Sequence, residues 1–322
     1  MASTAFSQRP AVLVTGGTGF VGSALVRDLL HGGRRVIVLS RDAPRARARL
    51  GEAVDVVERL DDIAPETAID AVVNLAGATV LGAPWTRGRR ALLLSSRVDT
   101  TAAVIALMRR LAQPPRVMVS ASAVGYYGVP AGDGVVTEDA PPQPGRFQSD
   151  LCIAIEHEAR RAEALGVRVV RLRLGIVLGP GGGAYPPQAL AARLGLGAVL
   201  GSGRQPVPWI HRDDAIGLIR LAIDPPLPGA SQPPAELRGA VNAVAPELPQ
   251  QADFCRALAA SFGRHVFLRM PAWPLKLAMG EMSELLLCGQ RVVPAAALAA
   301  GYRFRYARLQ DALAGLAVKG GG

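Results

Sequence analysis

The sequence has few cysteines and no long apolar run. Cysteine occurs only at Cys152, Cys255 and Cys288, without a CxxC pair, so the sequence predicts neither a disulfide framework nor a metal site. No apolar segment approaches the roughly 20 residues that span a bilayer, and residues 1–10 are too short and too polar for a signal peptide. We therefore expect a cytoplasmic protein without a membrane partner, and we expect residues 320–322 to be disordered.

Lysine is also scarce, because it occurs only at Lys276 and Lys319, and arginine supplies nearly all of the positive charge. Lysine and arginine total 36 against 26 acidic residues, which gives a formal net charge of +10. No helix-turn-helix, zinc or aromatic RNA-binding signature accompanies this charge. The composition therefore predicts a generally basic surface and no nucleic-acid partner.

Strand-like and helix-like segments alternate over the first half of the chain. The apolar, β-branched strand Ala11–Thr15 is followed by a glycine-rich turn, an amphipathic helix at 23–30 and a second strand at 36–39. The alternation continues with strands at 71–75, 116–120 and 167–172 and helices at 89–111 and 148–165. This order predicts an α/β fold with a Rossmann-type doubly wound parallel sheet.

Proline and glycine interrupt the pattern after residue 180, and helix-like segments return only at 253–262 and 275–287. With 322 residues, the chain is long enough for one large domain and a smaller one. We expect a Rossmann domain at 1–180 and a smaller C-terminal α+β lobe at 181–322. Segments around 207–245 are expected to return to the Rossmann domain.

The glycines between the first strand and the first helix have separate physical roles. Gly16 permits a tight turn, Gly19 lets backbone N–H groups approach a pyrophosphate, and Gly22 lets the helix pack closely on the strand. The helix N-terminus then offers unpaired N–H donors and the positive end of its dipole to phosphates. The order strand, glycines, helix and strand favours a dinucleotide site over a glycine-rich turn that binds nothing.

Arg41 lies at the end of the second strand, where dinucleotide-binding folds distinguish NAD from NADP. An acid there would bind the ribose 2′-hydroxyl, whereas the planar guanidinium of Arg41 suits a 2′-phosphate, and Ser40 adds a hydroxyl. The sequence therefore predicts NADP(H), with an ordinary surface arginine as the alternative. The neighbouring Asp42 does not fit this prediction, because an acid would repel a 2′-phosphate. We therefore expect its side chain to point away from the cofactor.

Several short motifs follow one another along the chain. They are TGGTGFVG at 15–22, NLAG at 74–77, SASAVGYYG at 120–128, RLR at 171–173 leading to GP at 179–180, and WIHRDD at 209–214. Together they resemble the NAD(P)-dependent epimerase/dehydratase superfamily of extended and atypical short-chain dehydrogenases. Segments 181–184, 194–197, 208–211, 289–294 and 301–304 resemble one subgroup, the "epimerase family" proteins. Some of these are labelled NADP-dependent oxidoreductases or cell-division-inhibitor homologues, and they end in a small domain of unknown function.

The resemblance implies a set of cofactor-binding residues in the glycine turn, at the strand ends and on the long helix. These residues are Thr15, Gly16, Thr18, Gly19, Phe20, Val21, Gly22, Ser40, Arg41, Asn74, Leu75, Ala76, Arg97, Ser120, Gly175 and Val177. For 74–76 the alternative is a plain strand end with a turn, and for Arg97 it is a solvated helix face.

The resemblance also points to catalytic candidates. Ser122 matches the active-site serine of catalytic relatives, although it could instead cap the backbone. Tyr126 and Tyr127 lie in the same crevice, where either could offer a phenolic O–H or pack as an aromatic ring. We expect His211 to order a turn through a backbone hydrogen bond, with a contact to substrate as the alternative. We expect Trp209 to wall the pocket or pack the junction of the lobes.

The usual proton donor of short-chain dehydrogenases, a Tyr-x-x-x-Lys pair, is missing. Its lysine lowers the pKa of the tyrosine and holds the nicotinamide ribose, so both residues are needed at that spacing. No lysine precedes Lys276, and the matching positions are Gln148 and Cys152. Any turnover should therefore be slow or use a different acid. The available substitutes are Tyr126, Asp150, Glu156 and the favoured Tyr127.

Two functions stay open at this point. The first is an NADP-dependent oxidoreductase or epimerase that acts on a small carbonyl or sugar-like substrate of unknown identity. The second is a non-catalytic protein that senses NADP(H) and signals through its C-terminal lobe. The oligomeric state is open between a monomer and a homodimer.

Overall fold

The structure is a computed structural model that describes residues 10–129, 134–224 and 236–319, so residues 320–322, predicted to be disordered, lie outside the described residues. The strands are, in chain order, β1 (Ala11–Thr15), β2 (Arg35–Leu39), β3 (Asp55–Val57), β4 (Ile69–Asn74), β5 (Val117–Ala123), β6 (Val135–Val136), β7 (Arg168–Leu174), β8 (Ile176–Leu178), β9 (Ala198–Leu200), β10 (Trp209–His211), β11 (Gly239–Ala243), β12 (Leu268–Met270) and β13 (Arg291–Val292). The α-helices are α1 (Phe20–His31), α2 (Ala43–Leu50), α3 (Arg87–Arg110), α4 (Phe147–Arg160), α5 (Tyr185–Arg193), α6 (Arg212–Ile223), α7 (Gln251–Ala260), α8 (Ala272–Met279), α9 (Glu284–Leu287), α10 (Ala295–Ala299) and α11 (Leu309–Lys319). Short 3-10 helices occur at Leu60–Asp62, Val124–Tyr127, Arg161–Leu165 and Gly280–Ser283.

Seven strands form one parallel sheet in the order β11-β7-β5-β4-β1-β2-β3. Every residue of β1 is buried, because helices cover both faces of the sheet, and a strand buried on both faces is a continuous apolar run. The predicted α/β fold with a Rossmann-type doubly wound parallel sheet is confirmed.

Alternating side chains of β1 face two separate cores. Val12 and Val14 pack in a core that includes Leu25 of α1 and Ile216 of α6. Leu13 packs on the other face, in a core that includes residues of α3 and α4. The sheet is therefore the middle layer of three, as expected when helices cross over both faces.

The chain order reverses between β1 and β4, which are neighbours in the sheet but lead into opposite halves of it. Such a reversal opens a crevice beyond the carboxyl ends of the strands, where open α/β sheets bind ligands. Thr15 pairs in register with Asn74, and Asn74 pairs with Ser120. The ends of β1, β4 and β5 therefore lie side by side at this crevice.

Segments after residue 180 contribute both to the sheet and to a separate core. β11 is an edge strand beside β7, and α6 packs in the same core as α1. Another core gathers residues of α5, α7 and α11 around Trp209. The division of the chain into two domains at residue 180 stays a prediction.

α3 is long and apolar enough, by length and composition alone, to cross a membrane, and core helices of globular proteins meet the same criterion. Its residues Val104, Ile105 and Met108 are buried and pack with Leu13 of β1. In this structure α3 is therefore one of the helices that cover the sheet. The cytoplasmic location stays a prediction.

Candidate functional site

Gly16 in the turn between β1 and α1, and Gly22 in the first turn of α1, have no room for a side chain. Gly16 has a φ of +67°, and a Cβ there would lie 2.7 Å from the backbone carbonyl carbon of Leu75. A Cβ on Gly22 would lie 2.2 Å from the carbonyl oxygen of Gly16, so the helix and the turn are in direct contact. A Cβ on Gly19 would meet only that same oxygen, at 3.1 Å. The space around this Cβ is otherwise open.

The N-terminus of α1 has no capping side chain and no acidic residue in its first turn. The N–H of Gly19 is used inside the turn, where it donates to the carbonyl oxygen of Gly16 at 2.9 Å. The first N–H groups of a helix have no acceptor within the helix. At the crevice, these donors and the helix dipole suit an anion, so residues 18–22 fit a pyrophosphate.

Thr15 and Asn74 hold the strand ends through buried hydrogen bonds. Thr15 Oγ1 donates to Asn74 Oδ1 at 2.5 Å and accepts from the N–H of Ala76 at 3.2 Å. Asn74 Nδ2 donates to Thr101 Oγ1 of α3 at 2.8 Å. Both side chains are buried. They therefore shape the crevice by fixing the backbone of Leu75 and Ala76 against the glycine turn.

Asp42, the acidic residue next to Arg41, has a structural role. Asp42 is the N-cap of α2, and its Oδ1 accepts from the N–H of Arg45 at 2.9 Å. Ser40 Oγ donates to the carbonyl oxygen of Asp42 at 3.1 Å. Arg41 is exposed at the end of β2. The carboxylate of Asp42 is thus held at the start of α2, which explains how this aspartate can lie next to an arginine that suits a phosphate.

Phe20 joins the start of α1 to the glycine segment after β8. A Cβ on Gly182 would lie 2.7 Å from Phe20 Cδ2, and one on Gly183 would lie 2.7 Å from Phe20 Cε1. The guanidinium of Arg212 lies 5.4 Å from the ring centroid and donates to the carbonyl oxygen of Pro180 at 3.0 Å. The side chain of Phe20 is therefore used in packing. Only its backbone N–H, at the N-terminus of α1, could contact a phosphate.

Three other predicted residues lie in or directly after strands of the central region. Ser120 is buried, and its Oγ has no hydrogen-bond partner among the described residues. A Cβ on Gly175 would lie 2.6 Å from the carbonyl oxygen of Pro208, so glycine allows this close approach. Val177 of β8 pairs with Ile210 of β10. Their contact with a cofactor stays a prediction.

Ser122, the main catalytic candidate, belongs to a buried ionic network. Its hydroxyl donates to Glu156 Oε1 at 2.9 Å. Arg173 binds the same carboxylate through both of its oxygens, with Nε–Oε1 at 2.8 Å and Nη2–Oε2 at 3.0 Å. A carboxylate that forms a bidentate pair with arginine is ionised and only accepts hydrogen bonds. Glu156 is therefore a fixed acceptor that orients the hydroxyl of Ser122.

Tyr126 and Tyr127 enclose the guanidinium of Arg173. The OH of Tyr127 donates to Asn242 Oδ1 at 2.6 Å and accepts from Arg173 Nη1 at 2.7 Å. Burial raises the pKa of Tyr127, although Arg173 opposes the rise. The Arg173 guanidinium lies 3.6 Å from the ring centroid of Tyr126. In this arrangement the phenolic proton of Tyr127 is used in the hydrogen bond to Asn242.

Gln148 and Cys152 occupy the predicted places of the missing Tyr-x-x-x-Lys pair, one turn apart on α4. A Cβ on Gly125 would lie 3.7 Å from both Gln148 Cβ and Cys152 Sγ, so the two side chains share one patch. Burial raises the pKa of the Cys152 thiol to about 11. The thiol is therefore neutral at physiological pH and supplies no charge in place of the lysine.

Arg97 of α3 places a positive charge beside this position. Its Nη2 donates to the carbonyl oxygen of Ala78 at 2.9 Å. A Cβ on Gly77 would lie 2.7 Å from Arg97 Cζ, so the guanidinium lies against the NLAG segment at 74–77. Burial lowers the pKa of Arg97, and no carboxylate forms an ion pair with it within the described ranges. This half-buried cation suits an anionic or hydroxyl-rich ligand.

The structure settles the roles of two residues from the WIHRDD motif. His211 Nδ1 accepts from the N–H of Asp213 at 3.1 Å at the start of α6, so the predicted turn-ordering role is confirmed. Trp209 is fully buried, and its Nε1 donates to the carbonyl oxygen of Glu247 at 2.9 Å. It packs in the core of the C-terminal helices and does not line an open pocket.

A cavity of about 600 Å³ beside the end of β2 contains residues that the sequence did not single out. It is lined by Leu39, Glu58, Arg59, Leu60, Asp61, Asp99, Thr100, Ala103, Ala106, Leu107 and Arg110. Residues 58–61 directly follow β3, a strand too short and polar to be recognised by its pattern. These residues could have been identified because they follow the end of a strand next to β2, which carries the residue that distinguishes NAD from NADP.

Comparison with known proteins agrees with this geometry. A family model described as the NAD dependent epimerase/dehydratase family matches residues 12–232, and a domain of unknown function (DUF1731) matches residues 270–316. The chain is 34% identical over 308 residues to the epimerase family protein YfhF of Bacillus subtilis, covering 95% of this chain and 97% of the relative. It is 35% identical over 305 residues to the epimerase family protein SDR39U1 of Mus musculus, covering 94% of this chain and 98% of the relative.

Solved structures include similar chains. The crystal structure of human epimerase family protein SDR39U1 (isoform2) with NADPH has a TM-score of 0.84 and 33% identity, and the match covers 96% of this chain and 99% of that one. A nucleoside-diphosphate sugar epimerase from Corynebacterium glutamicum has a TM-score of 0.73 and 28% identity, with 97% of this chain and 59% of that one covered.

Proposed function

The chain belongs to the NAD dependent epimerase/dehydratase family and has a C-terminal DUF1731 domain, and from this we propose that it is an NADP(H)-dependent oxidoreductase or epimerase. Its substrate would be a small carbonyl or sugar-like compound. The observation that carries the proposal is the glycine turn, because Gly16 and Gly22 leave no room for a side chain while the N-terminus of α1 faces the crevice uncapped. Human SDR39U1, a relative of this chain, was crystallised with NADPH.

The residues that would hold the cofactor fall into three groups. Residues 18–22 would bind the pyrophosphate through backbone N–H groups. Arg41 would bind the 2′-phosphate, and Ser40 would join it once its hydroxyl turns away from the carbonyl oxygen of Asp42. The cavity beside β2 would take the adenosine. When bound, the nicotinamide supplies or accepts the hydride. Arg97 would take over the ribose contact that lysine makes in other short-chain dehydrogenases.

Ser122 is the side chain we assign to substrate. The hydroxyl of Ser122 donates its hydrogen bond to Glu156. Ser122 Oγ can therefore act towards substrate only as an acceptor, for example from a substrate hydroxyl. Tyr127 would support the site by holding Arg173, which in turn holds Glu156. In this arrangement Ser122 positions a substrate hydroxyl and does not supply a proton as the Tyr–Lys pair does, and we expect slow turnover for that reason.

A second candidate function, non-catalytic sensing of NADP(H), is favoured by the same network. The proton of Tyr127 is bound to Asn242, and Cys152 is neutral where the lysine would be charged. A protein without a strong acid at this place could bind the cofactor and report on it without turnover.

Turnover assays distinguish the two functions. The protein is incubated with NADPH and a panel of aldehydes, ketones and keto sugars, and with NADP⁺ and the matching alcohols, while the absorbance of the reduced nicotinamide is followed. Turnover that Ser122→Ala removes supports the enzyme. Saturable NADPH binding without turnover over the whole panel supports the sensor and contradicts the enzyme.

A further inference from the structure

α8 is an apolar helix whose side chains are only partly covered by the rest of the protein. None of its residues is buried, and Trp273 is 69% exposed and Leu277 83% exposed. The two lie four residues apart and therefore share one face of the helix. Large apolar side chains are normally inside a protein, and a contiguous exposed group of them marks an interaction surface.

The exposed apolar side chains continue into the strand before α8. Phe267 is 86% exposed, and Leu268 and Met270 of β12 are exposed as well. Together with Trp273 and Leu277 they form what we call the 267–277 surface. It extends towards β9, which pairs with β12 and directly follows the exposed Leu194 and Leu196.

The charged residues of the sequence from 254 to 280 are all positive. Between Asp253 and Glu281 the sequence contains no acidic residue. The same stretch contains the exposed cations Arg264, Arg269 and Lys276. The segment joined to it through β9 is also free of acids from residue 164 to residue 212. Lys276, the one charged residue of α8, lies three residues from Trp273 and one from Leu277, so a cation adjoins the exposed apolar side chains.

We propose that the 267–277 surface docks on a membrane surface that carries anionic phospholipids. Its aromatic and aliphatic side chains would enter the boundary between headgroups and acyl chains, where tryptophan is favoured. Arg264, Arg269 and Lys276 would lie against the headgroup phosphates. The sequence predicted no membrane partner because it contains no run of spanning length, but a short helix that lies on a surface does not need that length.

Charge favours lipid over a second copy of the chain. In a two-fold contact the same patch faces itself. The cations of one 267–277 surface would then meet those of the other, with no acidic residue between Asp253 and Glu281 to compensate them. An anionic lipid surface satisfies both the apolar and the positive parts of the patch.

The positions of the tryptophans make a direct test available. The sequence has 3 tryptophans, of which Trp85 and Trp209 are buried and Trp273 is exposed. A change in tryptophan emission on docking must therefore come mainly from Trp273. The full-length protein is mixed with vesicles of phosphatidylcholine alone or with added phosphatidylglycerol, and both emission and co-sedimentation are measured.

We expect a blue shift and co-sedimentation with the anionic vesicles only. The double variant Trp273→Ala/Leu277→Ala should weaken co-sedimentation by roughly tenfold or more. Arg269→Glu and Lys276→Glu should each weaken it by about fivefold or more and raise its sensitivity to salt. The matched controls are Leu298→Ala and Arg303→Glu, which alter an exposed leucine and an exposed arginine outside the surface.

Three results would overturn the proposal. The first is an absence of binding to anionic vesicles at low salt. The second is an equal loss of binding in the control variants, which would show attraction by the general positive charge alone. The third is a dimer in light scattering that Trp273→Ala/Leu277→Ala converts to a monomer, without vesicle binding, which would assign the surface to a second copy.

Discussion

Ser122 donates its hydroxyl proton to the buried carboxylate of Glu156, with 2.9 Å between Oγ and Oε1. The direction of this bond is fixed because the carboxylate is already paired with Arg173 and can only accept. The serine that the sequence pointed to is thus held by two residues on different elements, α4 and β7. The site therefore depends on a buried ion pair as much as on the serine itself.

For Ser122→Ala we expect kcat to fall by about tenfold or more, because the substrate loses a hydrogen bond within a buried network. The affinity for NADPH should stay nearly constant. Steady-state kinetics on any substrate found in the panel, together with an NADPH titration, measure both effects. Ser95→Ala on α3 is the control, since among the described residues its Oγ forms a hydrogen bond only with the carbonyl oxygen of Leu92 in the same helix. Turnover that is unchanged in Ser122→Ala would remove the serine from any catalytic role.

Gly19→Val should abolish NADPH binding and leave the protein folded. Gly19 has φ −74° and ψ −179°, an extended conformation that valine adopts readily, and its Cβ would lie 3.1 Å from the carbonyl oxygen of Gly16, so the change requires only a small shift of the turn. The new side chain would fill the open side of the turn, where the backbone would meet the pyrophosphate. Circular dichroism checks the fold and calorimetry the binding, with Gly88→Val as a control because no atom lies within 4 Å of a Cβ built there. Normal binding by Gly19→Val would place the phosphates elsewhere.

Tyr127→Phe should mainly lower stability. The change removes the acceptor of Arg173 Nη1 and the donor to Asn242 Oδ1 and leaves both groups buried. A loss of about 1–3 kcal/mol in the free energy of unfolding follows from the unpaired groups. Urea denaturation of the two proteins measures it. Equal midpoints for wild type and variant would mean that Tyr127 is not held in this network.

Cys152 should make the protein less stable in alkali. Burial raises the pKa of its thiol from 9.0 to about 11. Between those pH values the unfolded chain loses the thiol proton while the folded chain keeps it, so stability falls as the pH rises. The total loss is up to about 2–3 kcal/mol. Unfolding of wild type and Cys152→Ala, compared just below pH 9 and near pH 11, should show a steeper decline in wild type, and parallel declines would contradict the buried thiol.

The elements with local signals could be predicted from the sequence. The second strand, predicted at 36–39, is Arg35–Leu39, and the long helix, predicted at 89–111, is Arg87–Arg110. Apolar periodicity and glycine turns are local properties, so they can be recognised without knowledge of the fold. The helix predicted at 275–287 is divided at Gly280, whose φ of +55° ends α8, and this interruption was not anticipated.

Partners that are distant in sequence were not predictable. Glu156 was proposed as a substitute acid, but it is bound by Arg173 on β7. Tyr127 was the favoured proton donor, yet its OH lies between Arg173 and Asn242 of the edge strand. β5 also extends to Ala123, beyond the predicted end at residue 120, because it pairs with β7 up to Leu174. Such contacts depend on the order of strands in the sheet, which no local pattern encodes.

The most direct test of the central claim is a titration of NADPH and NADH against wild type and Arg41→Ala. Arg41 is exposed at the end of β2, and the neighbouring Asp42 is engaged as the cap of α2. A charge-assisted contact with the 2′-phosphate is worth about 1.5–3 kcal/mol, so wild type should prefer NADPH by about tenfold to hundredfold. Arg41→Ala should lose this preference with little change for NADH, and Arg47→Ala, at an exposed position on α2, should keep it. Equal affinities of wild type for the two cofactors would contradict the account.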